Sequence, residues 1–374
     1  MKLSRGHLCG GLWLGLFLLP VLVKGAAPRL TLSPTIYAAP GVEMNVYFAN
    51  TVLLEPGREA EVTFRCECPI GSTTATRWTL SATAEQQGEY PFRLTVLDRD
   101  GKQIETAESR LVVSPADAGQ GRSVRLLIIG DSLTHATRYP NEIARLLSRP
   151  GNPTWKMLGT HRPGSALKGV AHEGYGGWTW NRFRTKFTPE RPYPGKTNSS
   201  PFVVAGSDGK GRLDVGRYLR DHCEGEVPDF ITIMLGINDC FGARPDSPTT
   251  IDPRVDQMFQ EAGPLLQALR DAAPNAWIGI CLTTPGNSRD AAFVANYKDR
   301  YTRWGWRRIQ HRLVERQIEH FGNRRAERID LISTELNLDV TAGYPPNNGV
   351  HPNDAGYAQI GASIHAWLKA RLAD

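Results

Sequence analysis

What most constrains this chain of 374 residues is an alternation that begins at Val124, where short apolar runs are separated by helical stretches. Val124–Ile129 reads as a strand buried on both faces, the pattern of an interior parallel strand. Phe230–Leu235, Trp277–Leu282 and Ile329–Ile332 are three more such runs. Tyr139–Ser148, Val255–Ala272, Ala291–Phe321 and Gly356–Leu372 carry helical patterns between and after them. Strands alternating with helices predict an α/β fold, a doubly wound parallel sheet with helices on both faces. Ligands of such sheets bind outside the carboxyl ends of the strands, so a site belongs just after each strand.

Residues 28–115 follow a different pattern. Strand-like runs recur at Val42–Phe48, Glu61–Cys66 and Tyr90–Leu97, and Asp98-Arg99-Asp100-Gly101 is a hairpin signal. They predict a small all-β, sandwich-like domain that carries no chemistry and packs against the next one, with polysaccharide binding as the alternative. A linker over 116–123, within a stretch of Pro, Ala, Asp and Gly, leads into the second domain, 124–374.

The first 27 residues read as a cleavable signal peptide. Lys2 and Arg5 make a basic start, Leu12–Val23 is almost wholly apolar, and Gly25, Ala26 and Ala27 offer small residues for cleavage. The apolar run, about a dozen residues, falls short of the ~20 that span a bilayer. The expectation is a secreted or periplasmic protein without stable membrane insertion. The formal net charge is +6, and Lys2, Arg5 and Lys24 supply three of those charges, so the balance gives no reason to expect nucleic acid as a partner. Of six cysteines, Cys9 lies in the signal segment, and the five that remain are an odd count, so at least one is free or pairs between chains. Cys66 and Cys68 should face the same side of a strand. No spacing suits a zinc site, and no metal is expected. The Pro-, Gly- and Ser-rich stretch 185–210 reads as an insertion near the site and contains the sequon Asn198-Ser199-Ser200. The helix over Tyr301–Arg328 is dense in arginine, by default a solvated face, with contact to an acidic polysaccharide as the weaker alternative.

Four segments carry chemistry. Gly130-Asp131-Ser132-Leu133-Thr134 follows the first strand and projects a serine hydroxyl where ligands bind; a plain turn serine is the bland alternative. Gly236-Ile237-Asn238-Asp239 follows the second and aims an amide into the same crevice, unless Asn238 merely caps the next helix. Glu173-Gly174-Tyr175-Gly176-Gly177-Trp178 lets backbone N–H groups approach a ligand. Asn348-Gly349-Val350-His351-Pro352-Asn353 places a histidine in the loop before the last helix. Together they supply a nucleophile, a base and oxyanion donors.

Over roughly Val124–Leu372 these ordered blocks resemble the SGNH hydrolases, the GDSL esterase and lipase superfamily, and the segment beginning His172-Glu173-Gly174 is similar to that of secreted acetyl-carbohydrate esterases. The resemblance implies a flavodoxin-like sheet, Ser132 as nucleophile and His351 as base. It implies an oxyanion hole made by the N–H groups of Ser132 and Gly177 and the side chain of Asn238. No cofactor is needed. The family usually places an aspartate three residues before its histidine, where this chain has Asn348. A main-chain carbonyl, Asp339 or Asp354 would then orient His351, or Asn348 itself. Tyr175, Trp178 and Trp180 are candidate sugar contacts. The implied function is a secreted serine esterase removing acetyl groups from a polysaccharide. A lipase or lysophospholipase, and a non-catalytic carbohydrate-binding protein on the same scaffold, are the alternatives. Oligomeric state is not legible.

Overall fold

The computed structural model describes residues 29–55, 57–190, 198–244, 248–298 and 300–374; the signal segment lies outside them, as does part of the expected insertion. The central sheet has six parallel strands: the two-residue Glu173–Gly174 and five longer ones, numbered here in chain order as β1 (Ser123–Gly130), β2 (Thr154–Leu158), β3 (Phe230–Met234), β4 (Trp277–Cys281) and β5 (Ile329–Ile332). Their order is β2-β1-β3-β4-β5. The four expected strands are there, and β2 is an addition. It is short and lies at the sheet edge, with only Met157 and Leu158 buried, so it lacks the continuous apolar run that marks the others.

Side chains along β1 divide the core in two, as the period of two requires. Leu127 and Ile129 pack with Ile231, Ile233, Ile278 and Ile280 beneath the helices Pro248–Ala272 and Arg303–Phe321. Leu126 and Ile128 face the other way, onto Ile143 and Leu147 of helix Arg138–Leu147 and Ile360, Ile364 and Trp367 of helix Asp354–Leu372. The helix expected over Ala291–Phe321 is two helices, Asp290–Tyr297 and Arg303–Phe321. The first is closed by Lys298, which has a φ of +57°. The second starts at Thr302, whose hydroxyl accepts the Gly305 N–H.

The N-terminal half is a sandwich. Thr35–Ala38, Gln103–Val113, Gly88–Asp98 and Val62–Glu67 make one sheet, and Glu43–Tyr47, Arg77–Ser81 and Ser72–Thr73 the other. Trp78 of the second meets Phe92 of the first edge to face, ring centroids 5.2 Å apart. The expected hairpin turns at Asp98, whose carboxylate accepts the N–H groups of Asp100 and Lys102. Cys66 and Cys68 both pack on this core, and the five described cysteines are all free.

The two halves share their interiors. Leu336, from the buried segment Ser333–Leu338 after β5, belongs to the sandwich core, and Tyr37 and Ala39 belong to the core under the last helix. Asn50 donates to the carbonyls of Glu335 and Leu338, both at 2.8 Å. Arg307 Nη2 donates to the carbonyls of Ala49, Asn50 and Val52. The expected linker is pinned rather than loose. Lys369, 2% exposed, donates to the carbonyls of Ala116 (2.9 Å), Ala118 (2.6 Å) and Gly151 (2.6 Å). Lys369→Met keeps the apolar stem but strips three carbonyls, that of Ala118 buried and the others part-buried, of a charged donor. It should lower stability by about 2–4 kcal/mol, read as a shift of the chemical denaturation midpoint.

Candidate active site

The strand order reverses direction between β1 and β3, and the crevice at their carboxyl ends is the switch point where such sheets bind ligands. Ser132 opens a single helical turn, Ser132–His135, just past β1. Asp131 caps that turn, accepting the Leu133 N–H on Oδ1 at 3.0 Å. As the first helical residue, Ser132 has a backbone N–H with no partner within the helix.

The second wall is an extension of the sheet. Glu173–Gly174 pairs in parallel with Ile129–Gly130, beyond the point where β2 ends. The Glu173 carboxylate is fully buried and accepts four hydrogen bonds: from Thr160 N (2.7 Å), Thr160 Oγ1 (3.0 Å), the Tyr175 hydroxyl (2.5 Å) and the Tyr218 hydroxyl (2.8 Å). That network fixes the turn Tyr175–Trp178. Gly177 sits in it with a φ of +76°, a conformation that favours glycine.

The third wall comes from β3. Gly236 has a φ of +130°, which only glycine adopts readily, so the chain can fold straight into the turn Ile237–Cys240. Gly236, not Asn238, holds the N-cap position. The Asn238 amide nitrogen instead donates to Asp131 Oδ2 at 2.9 Å and, more weakly, to the Trp178 carbonyl at 3.2 Å.

His351 closes the crevice from the loop before helix Asp354–Leu372. The Asn348 side-chain oxygen accepts the backbone N–H groups of Val350 (3.1 Å) and His351 (2.9 Å) and lies 3.3 Å from His351 Nδ1. Backbone N–H groups only donate, so they identify that atom as the amide oxygen. Its neighbour Nδ1 therefore carries the proton, leaving Nε2 as the ring's acceptor. Asp339 and Asp354, the other orienting candidates, are engaged elsewhere. Asp339 caps the N–H groups of Thr341 and Ala342, and Asp354, largely exposed, pairs with Arg138. The Asn348 amide fills the position beside Nδ1.

Ser132, Gly177, Asn238 and His351 line one cavity of about 240 Å³. Tyr175, Trp178 and Trp180 do not. They are at most 1% exposed and pack into the core with Phe183, Trp178 and Phe183 lying 4.7 Å apart. Their aromatic surface is used up beneath the site rather than presented to a ligand. The aromatic wall is built by Phe241, Tyr297 and Trp306 instead. Trp306 carried no local signal in the sequence. Thr283, Thr284 and Pro285, also in the wall, follow β4 and obey the same rule that singled out the other segments. Asp131, in the serine motif, had been assigned no role.

Burial dominates the electrostatics. It pushes Asp131 up to about 7 and Asp239 up to about 8, and raises Glu173 above the usual carboxylate range. It lowers His351 below the ordinary imidazole value, so the ring is neutral at pH 7. Among the described residues, no group of three or more His, Cys, Asp or Glu is placed to hold a metal ion, and no helix is long and apolar enough to cross a membrane.

The signature of the GDSL-like lipase/acylhydrolase family matches residues 128–359. The chain belongs to this family and is a hydrolase of carboxylic esters. Among solved structures, it is similar to Est24, a carbohydrate acetylesterase from Sinorhizobium meliloti (16% identity, 67% of this chain, 99% of that one, TM-score 0.38). It is similar to a family two carbohydrate esterase from Clostridium thermocellum in complex with cellohexaose (16% identity, 90% and 94%, TM-score 0.36). It is also similar to BT4096, a gut microbial diltiazem-metabolizing enzyme, of which it spans only about half (14% identity, 67% and 47%, TM-score 0.37). No curated protein matches the sequence.

A neutral partner at Nδ1 leaves His351 with no charge to raise its pKa. Asn348→Asp preserves the oxygen and its three contacts while adding a negative charge beside the ring. The acid limb of the kcat/KM profile tracks the histidine that must lose its proton, so it should move to higher pH by about 1–3 units. A profile measured on a small ester checks this; an unmoved limb would mean that another group sets it.

Proposed function

We propose that the chain is a secreted serine esterase that removes acetyl groups from a polysaccharide by two-step acyl transfer, with residues 28–115 and 124–374 as its two domains joined over 116–123. The observation that carries the mechanism is the convergence of Ser132, Gly177, Asn238 and His351 on one cavity. Nε2 of His351 takes the Ser132 hydroxyl proton as Oγ attacks the ester carbonyl. The oxyanion receives the N–H groups of Ser132 and Gly177 and one N–H of the Asn238 amide. The longer Asn238 bond, 3.2 Å to the Trp178 carbonyl, is the one given up; the 2.9 Å bond to Asp131 keeps the amide aimed. His351 then protonates the leaving alcohol, and water, activated by the same ring, releases the acid.

Export, supported by the character of residues 1–27, argues for a polymer outside the cell, and Phe241, Tyr297 and Trp306 offer aromatic faces to a sugar. A lipase-type reading has one observation in its favour, the apolar wall of Leu133, Met234, Leu235 and Ile237. Acid release from a panel of acetylated polysaccharides and from longer p-nitrophenyl esters separates the two. Higher kcat/KM on octanoate than on acetate would favour the second.

A fluorophosphonate probe should label the wild type and not Ser132→Ala; labelling retained in the folded variant would remove Ser132 as nucleophile. Asn238→Ala should lose about 10²–10³ in kcat, with KM for p-nitrophenyl acetate little changed. Near-normal turnover would reduce Asn238 to a structural clasp on Asp131.

A further inference from the structure

A second cavity, of about 310 Å³, adjoins the first and shares Trp306 and Pro285 with it. Its floor is the first turn of helix Arg303–Phe321, which contributes Arg303, Trp304, Trp306 and Arg307. Its far wall is Asn50, Val52 and Leu54 from the N-terminal half. Two arginines line it and no acidic residue does. The positive end of a 19-residue helix adds to the same sign.

The indole of Trp306 stands between the two cavities. It is 5% exposed, and its Nε1 has no hydrogen-bond partner. A Cβ on Gly286 would lie 3.0 Å from Trp306 Cδ1, the atom bonded to Nε1, and Gly286 lines the second cavity and not the first.

The two arginines differ in what they can do. Arg307 spends Nη2 on three main-chain carbonyls, so it supplies charge and rigidity. Arg303 meets Asp290 at 3.3 Å, and that carboxylate is 75% exposed; a pair so open to water is weak and exchangeable. Trp304 adds an aromatic face beside it.

We propose that this cavity is a subsite for a uronic acid residue of the esterified glycan, its carboxylate held by Arg303 and its ring against Trp304. The proposal rests on the glycan reading of the substrate. A cavity of 150 Å³ accommodates benzene, so one twice as large has room for a single sugar ring. A bare anion would use the cations and leave the aromatic walls idle; a neutral sugar would do the reverse. A carboxylated sugar uses both. The N-terminal half then contributes to substrate binding through Asn50, Val52 and Leu54 as well as packing against the rest of the chain.

The test uses the full chain and an unesterified galacturonic acid tetrasaccharide, titrated calorimetrically beside a neutral tetrasaccharide of equal length. The acidic probe should bind at least tenfold more tightly than the neutral one, and its affinity should fall as salt rises. Arg303→Gln should remove that preference, Arg303→Lys should keep part of it, and Trp304→Ala should weaken binding of the acidic probe at least fivefold, all with unchanged melting temperature. Equal binding of the two probes, or an undiminished preference in Arg303→Gln, overturns the subsite. The experiment involves no turnover, so its outcome is separate from that of the esterase reading. Acidic preference in a chain that releases no acid from esterified glycans still supports the subsite, and loss of preference in an active esterase removes the subsite alone.

Discussion

Every strand of the parallel sheet except the edge strand β2 is buried along both faces, and the rest of the molecule is arranged to keep it so. One face is covered by the helices Pro248–Ala272 and Arg303–Phe321. The other is covered by Arg138–Leu147 and Asp354–Leu372, and the last of these is buried along almost its whole length. A helix with no solvated face needs a second layer outside it. The N-terminal half meets that need: Tyr37 and Ala39 join the core under the helix, and Leu336 reaches back into the sandwich. The two halves are distinct in pattern but not in packing.

The same closure sets the chemistry of the crevice. Asp131 and Asp239 both ionise reluctantly because they are out of water, and His351 is held neutral for the same reason. An amide rather than a carboxylate beside His351 continues that economy of charge. Asn348 fixes the ring's tautomer through geometry, its oxygen identified by two backbone donors, and adds no charge to the site. Asp131 does comparable work on the other side by orienting the Asn238 amide. The residues flanking the reactive positions thus act by direction of hydrogen bonds more than by field.

Trp306 joins the two cavities. Its ring stands against Phe241 and Tyr297, with centroids 5.1 Å and 6.2 Å away, and it also lines the arginine-lined cavity.

The sequence by itself determined which residues could follow which strand. Continuous apolar runs mark β1, β3, β4 and β5 because strands buried on both faces are apolar on both, and the motifs after them are local. It also determined the all-β character of the first half, since turn residues such as Asp98 and Gly101 act on their own neighbours. It left β2 unmarked, because an edge strand with two buried residues carries too little signal. Only the tertiary structure decided where aromatic rings went: Tyr175, Trp178 and Trp180, adjacent to the site in sequence, turn into the core, while Phe241, Tyr297 and Trp306 arrive from distant segments. It likewise decided that Asn348 and not Asp339 or Asp354 stands beside His351, because a carboxylate's reach depends on the loop's fold and not on its distance along the chain. Side-chain direction in a loop is set by what packs around it, and that information is spread over residues far apart in the sequence.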